Sequence, residues 1–99
     1  MTSVFLERDG DLYTVHCRRH AETEAACSAV STLCYTLAGY LHNIDAVILD
    51  EKLEPGDARI CFKDKSAEAR AAFDMTSIGF LQLAGSYPES CSVEMQEIE

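Results

Sequence analysis

From Ser3 to Arg8 the chain alternates, with Val4 and Leu6 on one side and Ser3, Phe5 and Glu7 on the other. A period of two is that of a strand with one buried face. Asp9-Gly10-Asp11 follows as a hairpin signal, and Leu12 to Arg19 returns as a second strand rich in β-favouring residues. After His20 the period changes. Ala21-Glu22-Thr23-Glu24-Ala25-Ala26 places acids near the positive end of a helix dipole. Cys27, Val30, Cys34, Leu37 and Leu41 then recur at steps of three and four, with Leu33 beside them, so the spacing predicts an amphipathic helix ending near His42-Asn43.

Ala46 to Leu49 is a short apolar run, read as a third strand, and Pro55-Gly56-Asp57 is a second turn. Arg59 to Lys63 alternates around Ile60 and Phe62 and reads as a fourth strand paired with the third. Ser66 is placed to cap a second helix with Glu68 in its first turn. Phe73, Thr76, Phe80, Leu83 and Tyr87 give that helix one face, extended by Ala69 and Ala84, while Ile78 and Leu81 lie outside it and offer a surface for a subunit contact. Gly79 and Gly85 suggest close packing. Pro88 ends the helix, and Ser92 to Ile98 is a candidate terminal edge strand. The predicted fold is α+β, a two-layer sandwich in β-β-α-β-β-α order, with a mixed or antiparallel sheet and both helices on one face.

Length changes this picture little: 99 residues make residues 1–99 a single domain, large enough for one core. Composition is that of an ordinary globule, with 47% hydrophobic and 25% charged residues. The net charge of −9 argues against nucleic acid, which needs a basic face, and favours a basic peptide as partner. No apolar run approaches the ~20 residues of a membrane span. Five cysteines, an odd number without a secretory leader, predict free thiols in a cytoplasmic protein.

The candidate chemistry lies where the second strand passes into the first helix. His20 ends the strand and Cys27 opens the helix, the two groups a thiol nucleophile and its base require. A helix N-terminus or a neighbouring imidazolium lowers a thiol pKa from near 8.5 to about 3.5–7.5. Ser31 shares the helix face of Cys27, within reach of a thiolate or a substrate, and Glu24 is a candidate to steady the imidazole. The plainer alternative is that Cys27, on the apolar stripe, is a small buried hydrophobe and His20 a surface residue. Cys17-x-x-His20 with Cys27 and His16 raises zinc, but Cys17 and His16 point to opposite strand faces and no second close ligand pair is present. No metal and no cofactor are expected. Cys34 and Cys61 read as core, Cys91 as a terminal surface thiol, and His42 as a charge near a helix C-terminus.

These residues resemble a family. His20-Ala21, followed by Glu24-Ala25-Ala26-Cys27-Ser28-Ala29-Val30-Ser31, is similar to the Gly-His-Ala, loop, Asp-Ile-Val-Cys-Ala-Ala-Val-Ser pattern of the bacterial ribosomal-processing cysteine proteases. Leu81 to Glu89 looks like that family's second-helix ending, and the likeness covers nearly the whole chain. It implies a small α/β homodimer in which a cysteine attacks a peptide bond, removing the N-terminal extension of a large-subunit ribosomal protein. Carried over by position, Cys27 is the nucleophile, His20 its base, Ser31 the motif serine, and Glu24 stands where the family has Asp. A non-catalytic relative, acting as a dimeric binding or assembly module, is the alternative.

Two departures bear on the site. Arg19 stands where the family has glycine, which is expected to remove backbone freedom at that corner. The loop from His20 to Cys27 is also several residues shorter and lacks the family's glycine. At ~1.5 Å rise per residue, a helix starting at Thr23 carries Cys27 about 6 Å beyond its cap. A start at Ala25 or later keeps Cys27 in the first turn beside His20, and that later start is the expectation.

Overall fold

In the computed structural model, which describes residues 1–98, the elements run β1 Thr2–Asp9, β2 Leu12–Arg18, α1 Glu24–Asn43, β3 Val47–Glu54, β4 Asp57–Lys63, α2 Ala67–Ser86 and β5 Cys91–Ile98. The strands form one mixed sheet in the order β3-β4-β2-β1-β5. The hairpin neighbours β1–β2 and β3–β4 are antiparallel, as is β2–β4, whereas β5 lies parallel to β1. That parallel pairing needs a long crossover, which α2 supplies. The predicted α+β sandwich is the observed one, with β5 as its seventh element.

The alternation in β1 and β2 decides which sheet face is covered. Val4, Leu6, Tyr13, Val15 and Cys17 are buried with Ile60 and Phe62 of β4. Against them pack Cys34, Leu37, Ala38 and Leu41 of α1 and Ala69, Phe73, Phe80 and Leu83 of α2. Tyr13 stacks on Phe62 with ring centroids 4.9 Å apart and meets Phe73 at the same separation. The other face carries charge instead: Asp57 pairs with His16, Lys52 and Arg59, and Arg59 also reaches Asp50.

Helix ends follow local chemistry. The Thr23 side chain accepts from the Ala26 N–H at 3.1 Å, and Ser66 accepts from the Ala69 N–H at the same distance, as expected for the second helix. At the end of α1, Ala46 N–H donates to Leu41 and Asp45 N–H to His42, a Schellman closure with Asp45 at φ 54° in the place glycine usually takes. His42 lies in the last turn, as read, and also meets Glu51 at 2.9 Å.

Several boundaries differ from the sequence reading. β3 runs on through Asp50-Glu51-Lys52, because an edge strand with one charged face does not need apolar residues to keep its ladder. β2 stops at Arg18, one residue early, and β4 begins at Asp57, so its turn is only Pro55-Gly56. Tyr87 caps α2 and is exposed instead of extending its buried face. Cys91 is 2% exposed, not a surface thiol, because β5 docks beside β1 and turns its first side chain inward. Cys61 sits on the charged face opposite the core, half-buried, with Thr14 Oγ1 at 3.7 Å from its sulfur.

Gly79 is a point of close approach between the helices, since a Cβ there would come within 2.6 Å of a Leu33 methyl. Gly79→Val is therefore expected to destabilise by about 1–3 kcal/mol through overpacking. Ile78→Val, at a neighbouring position 54% exposed, should change stability by no more than about 0.5 kcal/mol. Urea denaturation of both variants checks the contrast.

Candidate active site

The corner after β2 is built around Arg19. Its φ is 70°, in the left-handed region that costs an L residue roughly 1–2 kcal/mol. The expected loss of backbone freedom did not follow, because hydrogen bonds hold the arginine where a glycine would sit without strain. Arg19 N–H donates to Gly56 at 2.8 Å, its carbonyl accepts from Thr2 Oγ1 at 3.1 Å, and its guanidinium reaches Ser3 Oγ.

Beyond the corner, four residues reach the helix. His20 is exposed, Ala21 turns inward, and Thr23 caps α1. The helix starts at Glu24, one residue before the expected Ala25, because the Thr23 side chain takes up a first-turn N–H. Cys27 is thus the fourth helical residue, and its own N–H is spent on the Thr23 carbonyl at 3.0 Å. Its thiol donates to the Ala21 carbonyl at 3.4 Å, which sets the sulfur beside the residue that follows His20.

His20, Glu24, Cys27 and Ser31 all line one cleft of about 470 Å³, between the first half of α1 and the β3–β4 turn. Cys27 is half-buried, not sealed in the core. Among the described residues the His20 ring makes no hydrogen bond or ion pair, with Glu24 or with Cys27. Its neighbour is Gly56, in the β3–β4 turn, which the sequence reading placed only as a turn signal. The positive φ of 78° at Gly56 and the absence of a side chain there could have drawn attention only once the turn was known to face His20.

The remaining thiols differ from Cys27 in setting. Cys17 and Cys34 are buried with sulfurs 3.7 Å apart, and their hydrogen bond together with burial pushes the Cys17 thiol up. Burial also pushes Cys91 up. Asp57, beside the turn, has its carboxyl held below the ordinary 3.8 by Lys52 and His16. Among the described residues no cluster of three or more potential metal ligands occurs.

No family model matches the sequence, and no curated protein matches it. Solved structures do. The Streptococcus mutans protein SMU.848 superposes with a TM-score of 0.78 over 98% of both chains at 21% identity. The ribosomal processing protease Prp from Staphylococcus aureus, with a covalently linked product peptide, superposes at 0.80 over 96% of this chain and 99% of Prp, at 15% identity. The chain folds like Prp. The same protease holding a substrate peptide gives 0.80 at 13% identity, over the same shares of the two chains. At these identities the likeness extends to the Prp fold, and the chemistry must be argued from this chain's own residues.

Two outcomes test this geometry. Arg19→Gly removes the left-handed strain but also the guanidinium bond to Ser3, and should raise stability by no more than about 1 kcal/mol, the gain being limited by that lost bond and by a freer unfolded chain. For Asp57, a depressed folded-state pKa means its stabilisation is present above the unfolded value near 3.8 and is lost as pH falls through the folded value. Asp57→Asn should therefore lose stability at pH 7 and differ little from the parent once the carboxyl is protonated, as followed by melting temperature against pH.

Proposed function

We propose that this protein is a cysteine endopeptidase that removes the N-terminal extension of a large-subunit ribosomal protein, with Cys27 as nucleophile and His20 as base. The observation that carries the reading is that a half-exposed helix-start thiol and an imidazole open into one cleft, on the fold of a ribosomal processing protease. In this reading His20 takes the Cys27 proton, the thiolate attacks the scissile carbonyl, and the imidazolium returns the proton to the leaving amine. Water then releases the acyl-enzyme. Ser31, one turn along α1, lines the same cleft and serves to hold substrate, while Glu24 contributes negative charge to its lining.

A basic peptide suits the site, because the chain carries a net charge of −9 and Glu24 and Glu54 line the cleft. The apolar side chains of Met75, Ile78 and Leu81, which α2 turns outward, support a homodimer. Residues 1–99 act as one domain, in the cytoplasm; among the described residues no helix is long and apolar enough to cross a membrane.

The second reading is the non-catalytic, dimeric assembly module. It is favoured by the thiol's donation to Ala21 in place of the His20 ring. Catalytic hydrogen bonds in unliganded enzymes are often long and tighten only with substrate, so the first reading stands.

Incubation with a precursor of the ribosomal protein should yield the shortened product. Cys27→Ala should abolish cleavage, and His20→Ala should lower the rate by about 10²–10⁴-fold. Failure of the wild type to cleave any extended precursor would select the assembly module. Cys61 is the internal reference, being half-buried like Cys27 but remote from the cleft. A thiol-directed alkylating reagent at neutral pH should label Cys27 ahead of Cys61, with Cys17, Cys34 and Cys91 last.

A further inference from the structure

We propose that Gly56 is the positioning residue of His20: its bare Cα lets the imidazole lie with its Nε2 edge on the β3–β4 turn, leaving Nδ1 to serve Cys27. The proposal rests on the reading of Cys27 and His20 as a thiol–imidazole pair.

A Cβ built on Gly56 would stand 2.9 Å from His20 Nε2, 3.1 Å from Cδ2 and 3.6 Å from Cε1. The nearest of these approaches is closer than real Cβ contacts allow. The turn therefore meets the Nε2 side of the ring, and Nδ1 is the nitrogen on the far side. Among the described residues the ring has no hydrogen bond or ion pair, so its close approach to the turn restricts its rotation without a polar tether. Turn and ring are also tied through the backbone, since the residue before His20 donates its N–H to the Gly56 carbonyl at 2.8 Å. A base that must hold its lone pair on a thiol proton gains from such a support, because a shift of about 1 Å at a reacting group can cost about 10²-fold in rate.

The fold supplies its own control. Gly10, in the β1–β2 turn, also has a positive φ, 62°, but a Cβ there would meet nothing within 4 Å. Gly10→Ala therefore carries the left-handed strain alone, whereas Gly56→Ala carries that strain and displaces an exposed ring.

The test is the pH dependence of iodoacetamide alkylation at Cys27, resolved by peptide mass, for the wild type, His20→Ala, Gly56→Ala and Gly10→Ala, each with its melting temperature. Both glycine variants should melt lower by similar amounts. Gly10→Ala should keep the wild-type pH profile. Gly56→Ala should move to the His20→Ala profile, with Cys27 alkylation at pH 6.5 reduced about tenfold as the thiolate fraction falls. If His20→Ala matches the wild type, the thiol–imidazole pair is itself refuted. If His20→Ala shifts the profile while Gly56→Ala stays with Gly10→Ala, the pair stands and the role of Gly56 is overturned. Should Gly56→Ala not fold, the wild type decides by nuclear Overhauser contacts. Cross-peaks from Gly56 Hα to His20 Hδ2 and Hε1 are expected, and their absence overturns the proposal.

Discussion

Arg19 turns the chain out of β2 through a left-handed backbone, and the placing of His20 follows from that one residue. An arginine pays for that conformation where a glycine would not. The offset comes from hydrogen bonds to Gly56, Thr2 and Ser3, each contributing on the order of 0.5–1.5 kcal/mol net. These partners lie on the β3–β4 turn and on β1, so the corner is held by two other segments of the sheet. Strain at such a point persists only where surrounding structure determines it. The result is a histidine delivered onto the β3–β4 turn, with only Ala21, Glu22 and Thr23 between it and the helix.

The same helix then serves two purposes along its length. Twenty residues of α1 span about 30 Å, and the helix packs on α2 and over β3 and β4. Cys34, Leu37 and Leu41 lie over the sheet and are buried. Cys27, on the same stripe and two turns before Cys34, lies in the first half of the helix and is left half-exposed in the cleft. A single apolar period thus carries both core residues and the candidate nucleophile. Burial separates the thiols: Cys17, Cys34 and Cys91 belong to the core, and Cys27 lines the cleft.

Prp and this chain share an architecture at 13–15% identity. What fold similarity cannot supply is the geometry of the loop between His20 and Cys27, which is short here. Its brevity is accommodated by starting α1 at Glu24 and capping it with Thr23, which consumes the Cys27 N–H in the first intrahelical bond. The imidazole consequently finds its support across the cleft, at the β3–β4 turn, and not from Glu24 on the helix.

Period-two and helical patterns, with the local turn and cap signals, gave the element order, the buried face of β1 and most of that of α2, the cap at Ser66, the end of α2 before Pro88, and the candidate pair Cys27 and His20. Those signals are local, because side-chain periodicity and turn chemistry act within a few residues. Only the tertiary structure decided that charged β3 extends to Glu54, that Cys91 turns inward, that Arg19 adopts a glycine's conformation, and that Gly56 backs the histidine. Each of those depends on segments far apart in the chain being brought to one place, and neither period nor composition encodes which backbone group will be waiting there.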